Sequence, residues 1–571
     1  MGRAQGWILT VLGGASMLGA GCYSGAGEAD GLPPAGADSG ESGADSEGEG
    51  DSDGDPPEGQ CEGSGAVVRR LTTLEYAHTV FDTLGVDIAA DAEARLPADL
   101  RSDGFSNQIS GLLVSFSHVE AYRDLAKLIV AQLPDLPGLV DAHTSCTDFA
   151  DGCESSFIEG LGARVWRRPL AADEVASLRP IFTAAHDEGD DFVTAAGLVL
   201  EAMLQAPQFV YRLEDELPGS GAPGELRVLG DYEIASRLSY LLWSTSPDDV
   251  LFDAARAGEL HTAQQIEAQV DRMLASPRAK DTALRYIDDW LALGGLPQLN
   301  RSPELYPEFS EALARDMREE TLRVAEELLW EREAPLIDLL TADFTWASPA
   351  LASLYGIESP GEGWQRYSLD DVPHRQGILT HAGVQAINGH GDQPSLVERG
   401  LFILGGVLCS SVAAPPAELD TTMSELETGR SPRYYSEARL DNATCNACHG
   451  QFDPMGWAFE PFDGIGAWHD QDIEGNELRE DGWLVIPGSA ESVPFDTVEE
   501  FSELLAQSEH VAECIGVRNP LQFAMGRPLG SADACAEQEI ALSAAEGGGS
   551  YQALVRAIAT HPSFQTIRSD D

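Results

Sequence analysis

Positive charge is what this sequence has least of. Its 35 lysines and arginines face 95 aspartates and glutamates, a formal net charge of −60 at pH 7. Nucleic acid and anionic membrane surfaces would both be repelled, so neither is an expected partner. The charge leaves two readings open: a heavily solvated surface suited to salty water, or an acidic docking face for a basic redox partner. Beyond the N-terminus there is no apolar run of the eighteen or so residues that a spanning helix needs. Common catalytic signatures are missing too: no phosphate-cradling loop with lysine, no GxSxG elbow and no HExxH pair. GSGAPG at Gly219–Gly224 matches the dinucleotide fingerprint letter for letter. An acidic, proline-containing segment precedes it and Pro223 sits inside it, so a plain loop is expected there.

What is present is a long chain with an ordinary apolar share. At 571 residues and 43 % hydrophobic residues it exceeds one core and calls for several domains. The first 22 residues, MGRAQGWILTVLGGASMLGAGC, set Arg3 before an apolar run that ends at a cysteine among small residues, the layout of a secretory signal. They resemble a bacterial lipoprotein signal in which Cys22 would be lipidated, although Gly19 stands where a leucine is usual. An ordinary cleaved signal is the alternative. Either way the expectation is export to the cell envelope, with membrane contact only through an N-terminal lipid. Residues 23–60 carry almost no large apolar side chain and read as a disordered acidic tether. Asp51, Asp53, Asp55 and Glu62 mimic a calcium loop there, but Pro56 occupies the position where such a loop needs glycine.

From Cys61 onward long amphipathic stretches dominate, and the expected fold class is mainly α with few short strands. VVRRLTTLEYAHTVFDTLG has helical spacing, a threonine cap signal and a stop at Gly85. ELRVLG and WLVIPG are candidate strands. Gly/Pro-rich joints near 131–140, 217–225, 358–364 and 485–494 divide the chain into helical modules at 61–135, 141–216 and 226–358, a segment at 375–484 and a C-terminal helical module at 495–571. Export makes disulfides the default for cysteine. Nearness in sequence pairs Cys146 with Cys153 and Cys514 with Cys535, leaving Cys61 with Cys409, one choice among fifteen.

Two cysteines stand apart in CNACH: Cys445, Cys448 and the adjacent His449. Two thiols three residues apart share one side of a helical turn, so both could reach the vinyl groups on one edge of a haem c, with His449 as proximal iron ligand. A Cys445–Cys448 disulfide, a redox dithiol and half a metal site remain alternatives. Zinc would need two further ligands, normally a second close pair, and a thioredoxin-like dithiol would need a βαβ setting. For the sixth ligand Met525, His381, His390 and His469 are candidates, with an open position as another outcome, while Met455 reads as core. Asp453-Pro454 and Glu460-Pro461-Phe462-Asp463 are either a carboxylate pair for proton transfer or, as such units more often are, caps and turns. Trp457, Phe459, Phe462 and Trp468 fit an apolar core around a haem.

A resemblance covers nearly everything after residue 60. RRLTTLEYAHTVFDTLG with LPADLRSDGFSN (69–107), VWRRPLAADEV through MLQAPQFVYRLED (165–215), DYEIASRLSYLLWSTSPDD, ADFTWASPALASLYGI and HRQGILTHAGV (231–384), SLVERGLFILGGVLCSSVAAPP with CNACHGQFDPMGWAFEPFDGIGAW (395–468), and VAECIGVRNPLQFAMGRPLG with LVRAIATHPSF (511–564) carry it. Together they resemble a multi-domain bacterial family, abundant in planctomycetes and myxobacteria, built from five consecutive uncharacterised modules with a cytochrome c-like segment. The resemblance implies a haem on CxxCH and leaves the overall activity unassigned. Relatives often have histidine where this chain has Arg439, a residue that could instead meet a haem propionate or lie at the surface. The expected function is an exported monohaem c-type protein, passing electrons or serving a haem-linked oxidoreductase with an unknown redox partner. The alternatives are a non-enzymatic envelope scaffold whose CxxCH is a structural disulfide, and a haem peroxidase. Whether the protein is an enzyme stays open.

Overall fold

Capping and periodicity build the first helix as expected. Thr72 accepts from the Glu75 backbone N–H, the Glu75 carboxylate accepts from the Thr72 N–H, and the Thr73–Leu84 helix ends at Gly85 with φ of 71°. The computed structural model describes residues 61, 68–149, 151–214, 226–358, 361–413, 429–489 and 491–568. The signal-like segment with Cys22, the 23–60 tether, the calcium-like spacing and the GSGAPG loop lie outside them. The fold is mainly α-helical, with few short strands in small sheets. Among the described residues no helix is long and apolar enough to cross a membrane.

The strands close the architecture rather than form a layer. Arg69–Arg70 pairs antiparallel with Tyr211–Arg212, so the first module begins where the second ends. Leu226–Val228, inside the ELRVLG stretch, pairs with Thr566–Arg568 at the far end of the chain. Phe344–Ala347 pairs with Gln365–Ser368 and Gly482–Val485 with Ser492–Phe495. Two of the expected joints hold ordered structure. The stretch at 485–494 falls within an antiparallel strand pair, Val485 opposite Ser492, whose Leu484 and Phe495 are both buried in one core. The 131–140 joint contains the start of the Leu136–His143 helix, which Asp135 caps by accepting from the Gly138 N–H, with proline in the first turn.

Five sequence modules make two hydrophobic cores. One gathers residues 71–210 with Tyr240, around fully buried Tyr76, Phe157, Phe182 and Phe209. The other runs from Leu229 to Ile567 and also takes in Cys61 and Phe105. Each fully buried aromatic contributes about 1.5–3 kcal/mol by leaving water. Several of the scarce arginines go inward: Arg69, Arg70, Arg212, Arg237, Arg399 and Arg433 are all buried. Glu214, for example, takes both Arg212 and Arg237.

The disulfides correct two of the three expected pairs. Cys146 is bonded to Cys153. Cys61, however, is bonded to Cys535 across 474 residues, and Cys409 to Cys514 across 105. A disulfide needs Cα atoms about 4.4–6.8 Å apart. The fold brings the two distant pairs to 5.5 Å and 5.4 Å. Cys514 opens the Cys514–Arg518 turn facing the Gly406 carbonyl, and Cys535 stands further on, in the Ala534–Glu546 helix. Nearness along the chain therefore misassigned both.

Candidate functional site

Two short helices meet at CNACH. Ser431 caps the Pro432–Asp441 helix, and Asn442 both ends it and caps Ala443–His449, its side chain accepting from the Thr444 and Cys445 N–H groups. Cys445 and Cys448 therefore lie one turn apart. Cys445 is buried, Cys448 half-buried, and neither is in a disulfide. The other described cysteines are all bonded in pairs.

The next turn supplies Asp453, fully buried at 0 % exposure. Its Oδ1 lies 3.1 Å from His449 Nδ1. Its Oδ2 accepts from Ser436 Oγ at 2.6 Å and from Arg439 Nη2 at 3.0 Å. Ser436 Oγ in turn accepts from the Trp457 indole N–H at 2.8 Å. A carboxylate only accepts, so the shared proton sits on Nδ1 and the Nε2 lone pair is the one a metal can use. Asp453-Pro454, readable as a turn, is thus the group that fixes the His449 ring. Sequence reasoning missed this role, because the turn at 450–452 that brings Asp453, at the start of the next short helix, back onto His449 carries no strong local signal. Arg439 is neither a surface arginine nor a lone propionate partner: it is ion-paired to Asp453 with 15 % of its side chain exposed.

A cleft of about 400 Å³ opens beside this cluster, lined by His390, Asp392, Leu396, Pro432, Tyr435 and Arg439. Of the four sixth-ligand candidates, His390 alone lines it. His381, just before the Ala382–Ile387 helix, is buried against the Glu311–Glu326 helix, its Nδ1 2.9 Å from Thr321 Oγ1. Burial, with Arg375 nearby, pushes its pKa down to about 3. His469 is engaged by Asp463 at 3.0 Å, and that hydrogen bond raises its pKa. Met525 ends the Asn519–Met525 helix against the first module, where Asn107 Nδ2 donates to the Phe523 carbonyl and the Ile109 N–H to that of Gly526. None of these contacts involves the CxxCH helix. Met455 is core, as expected.

The aromatic residues after the motif divide. Phe459 and Phe462 are core, and their carbonyls accept from fully buried Arg399 at 2.7 Å and 2.6 Å. Burial pulls the Arg399 pKa down to about 9. Trp457 lies under the Arg433 guanidinium, while Trp468 stacks on His374. The platform beneath the site depends on two glycines. A Cβ at Gly456 would run into the Leu396 carbonyl, and one at Gly400 into that of Phe452, so the Leu396–Phe402 and Asp453–Gly456 helices touch backbone to backbone. Gly456→Ala is expected to destabilise the protein by about 1–3 kcal/mol through overpacking. Chemical denaturation measures it, and an unchanged midpoint would refute the close approach.

Five family models match in succession: residues 69–133 (DUF1587), 153–214 (DUF1595), 229–357 (DUF1592), 375–472 (DUF1588) and 492–564 (DUF1585), each described as a protein of unknown function. The chain is a protein of five consecutive modules. No curated protein and no solved structure matches it. The CxxCH helix and Asp453 both belong to the fourth module, and the cleft lies within it. Modules one and two share the first core, and modules three to five form the second with a few residues from the N-terminal part.

Proposed function

We propose that the fourth module carries one haem c, attached through Cys445 and Cys448 and ligated by His449 Nε2, in an exported protein that moves electrons in the cell envelope. The observation that carries this is the clamp on His449 Nδ1 by buried Asp453. Metal-ligating histidines characteristically donate their second nitrogen to such a carboxylate, which fixes tautomer and ring orientation. A purely structural disulfide would need no such arrangement. The two thiols, one helical turn apart, fit the attachment chemistry.

A haem held there would supply one-electron transfer. The chain's own residues orient the imidazole through Asp453 and raise its basicity, while Arg439 offsets part of that negative charge. His390, which lines the cleft together with Arg439, is the preferred sixth ligand. The signal-like N-terminus supports export with a lipid on Cys22. The charge of −60 would steer a basic electron-transfer partner toward the protein.

The test is a pyridine haemochrome spectrum of the protein exported by a host with c-type maturation. One covalent haem per chain is expected, absent from the Cys445→Ser/Cys448→Ser variant. A well-folded, haem-free product from that host would overturn the reading and leave the envelope scaffold. Haem peroxidase is the second reading, favoured by the carboxylate on His449, since a more basic proximal imidazole makes the iron more electron-rich. A high-spin ferric spectrum with peroxide-dependent dye oxidation would select it over simple electron transfer.

A further inference from the structure

A second constellation lies away from CNACH, where the fourth module meets the fifth. His374 occupies a tight turn with φ of 65°, and its ring stacks flat on Trp468, centroids 4.1 Å apart and planes 7° off parallel. Glu480, 8 % exposed, follows the fourth module's matched stretch. Glu499 sits in the first turn of the Val498–Ala506 helix. One ligand atom from each of the three lies within 4.8 Å of the other two.

The contacts leave a charge problem. Glu480 Oε1 accepts from the Trp468 indole N–H at 3.2 Å, and Oε2 from the Val498 N–H at 3.2 Å. Glu499 Oε1 accepts from the His374 backbone N–H at 2.8 Å. Among the described residues neither carboxylate is in an ion pair with arginine or lysine. His374 Nδ1 stands 2.6 Å from Glu480 Oε1, yet this buried nitrogen makes no aligned hydrogen bond. A buried carboxylate that stays ionised is stabilised by a cation close by. An imidazole nitrogen set against the Glu480 carboxylate, held in place by stacking and with a Glu499 carboxylate within reach, is arranged as a ligand set.

We propose that His374, Glu480 and Glu499 bind one divalent transition-metal ion of the zinc class, which clamps the fourth module to the fifth. Mixed nitrogen and oxygen donors favour such an ion over calcium, which takes oxygen ligands. Three protein ligands leave a fourth position for water. The indole N–H of Trp468 and the amide of Val498 orient Glu480 as outer partners. The site is independent of the haem proposal.

Zinc titration of the full chain tests it, in the Cys445→Ser/Cys448→Ser background so that the CxxCH thiols cannot take the metal. After stripping with EDTA, calorimetry is expected to show one zinc per chain, and zinc to raise the melting midpoint. Glu499→Gln keeps the His374–Glu480 contact and lies at a half-exposed position, so it separates coordination from a simple ion pair. It is expected to weaken binding by at least about tenfold, as is His374→Ala. A parent that takes up no zinc would overturn the proposal. So would two folded variants that bind it as tightly as the parent.

Discussion

Replacing Glu214 with alanine is expected to destabilise the protein by about 3–5 kcal/mol, the usual result of removing one partner from a buried ion pair. Its carboxylate is 4 % exposed and accepts from Arg212 Nη2 at 2.8 Å, Arg237 Nε at 2.8 Å and Arg237 Nη2 at 2.6 Å. Arg237 also donates to the Phe564 carbonyl at 2.5 Å. One side chain thus joins the end of the second module, a helix of the third and the C-terminal segment. Without it two guanidinium groups stay buried with no counter-charge. Burial alone would raise the Glu214 pKa, but Arg237 and then Arg212 outweigh it and hold the group at about 2. A depressed folded pKa means that this contribution is complete above the unfolded value near 4.5 and is lost as pH falls toward 2. The denaturant midpoint at pH 7 checks the first claim. An Ala variant as stable as the parent would show that the network holds nothing together.

Glu320→Gln is expected to act in the opposite sense and in another pH window. Glu320 is fully buried, accepting from Thr345 Oγ1 and Tyr355 Oη, each at 2.6 Å. Arg375 stacks on the Tyr355 ring at 3.6 Å, but it donates to the Thr380 and Gly466 carbonyls rather than to the carboxylate. Burial therefore dominates and pushes the Glu320 pKa up to about 7. His381, whose Nδ1 lies beside Thr321, is held neutral in this range and adds no charge. For a carboxyl raised from 4.5, stability is full below 4.5 and declines as pH rises through 7, by about 3 kcal/mol in total. Glutamine keeps the shape and removes the ionisation. The variant should match the parent near pH 4.5 and exceed it by about 3 kcal/mol at pH 8. Parallel stability profiles from pH 4.5 to 8 would refute this.

Local features were legible in the sequence, and distant pairings were not. The Thr72–Glu75 capping box and the Gly85 stop follow from neighbouring residues, so the first helix was readable. The strand character of ELRVLG was readable too, but its partner Thr566–Arg568 has no local signal. Cys146 and Cys153 close a loop short enough for proximity to guide the pairing. Cys61 and Cys535 meet only because four whole modules and part of the fifth fold between them. At the site, CNACH marked its own thiols and histidine. Asp453 looked like a turn former because its burial depends on Ser436 and Arg439 of another helix closing over it. Composition likewise reported the shortage of cations but not their placement. The buried arginines are matched inside by buried carboxylates such as Glu75, Glu214 and Asp453.

The bond between Cys61 and Cys535 makes most of this polypeptide a covalent ring. A protease that cuts once anywhere between those residues opens the ring without dividing the molecule. The fragments part on a gel only after reduction, and the first and last modules stay on one particle. Outside the cytoplasm, where proteases are common and thiol reductants scarce, a nicked copy would therefore remain whole. A cut before residue 61 meets no such protection and would release the intact ring from whatever precedes it.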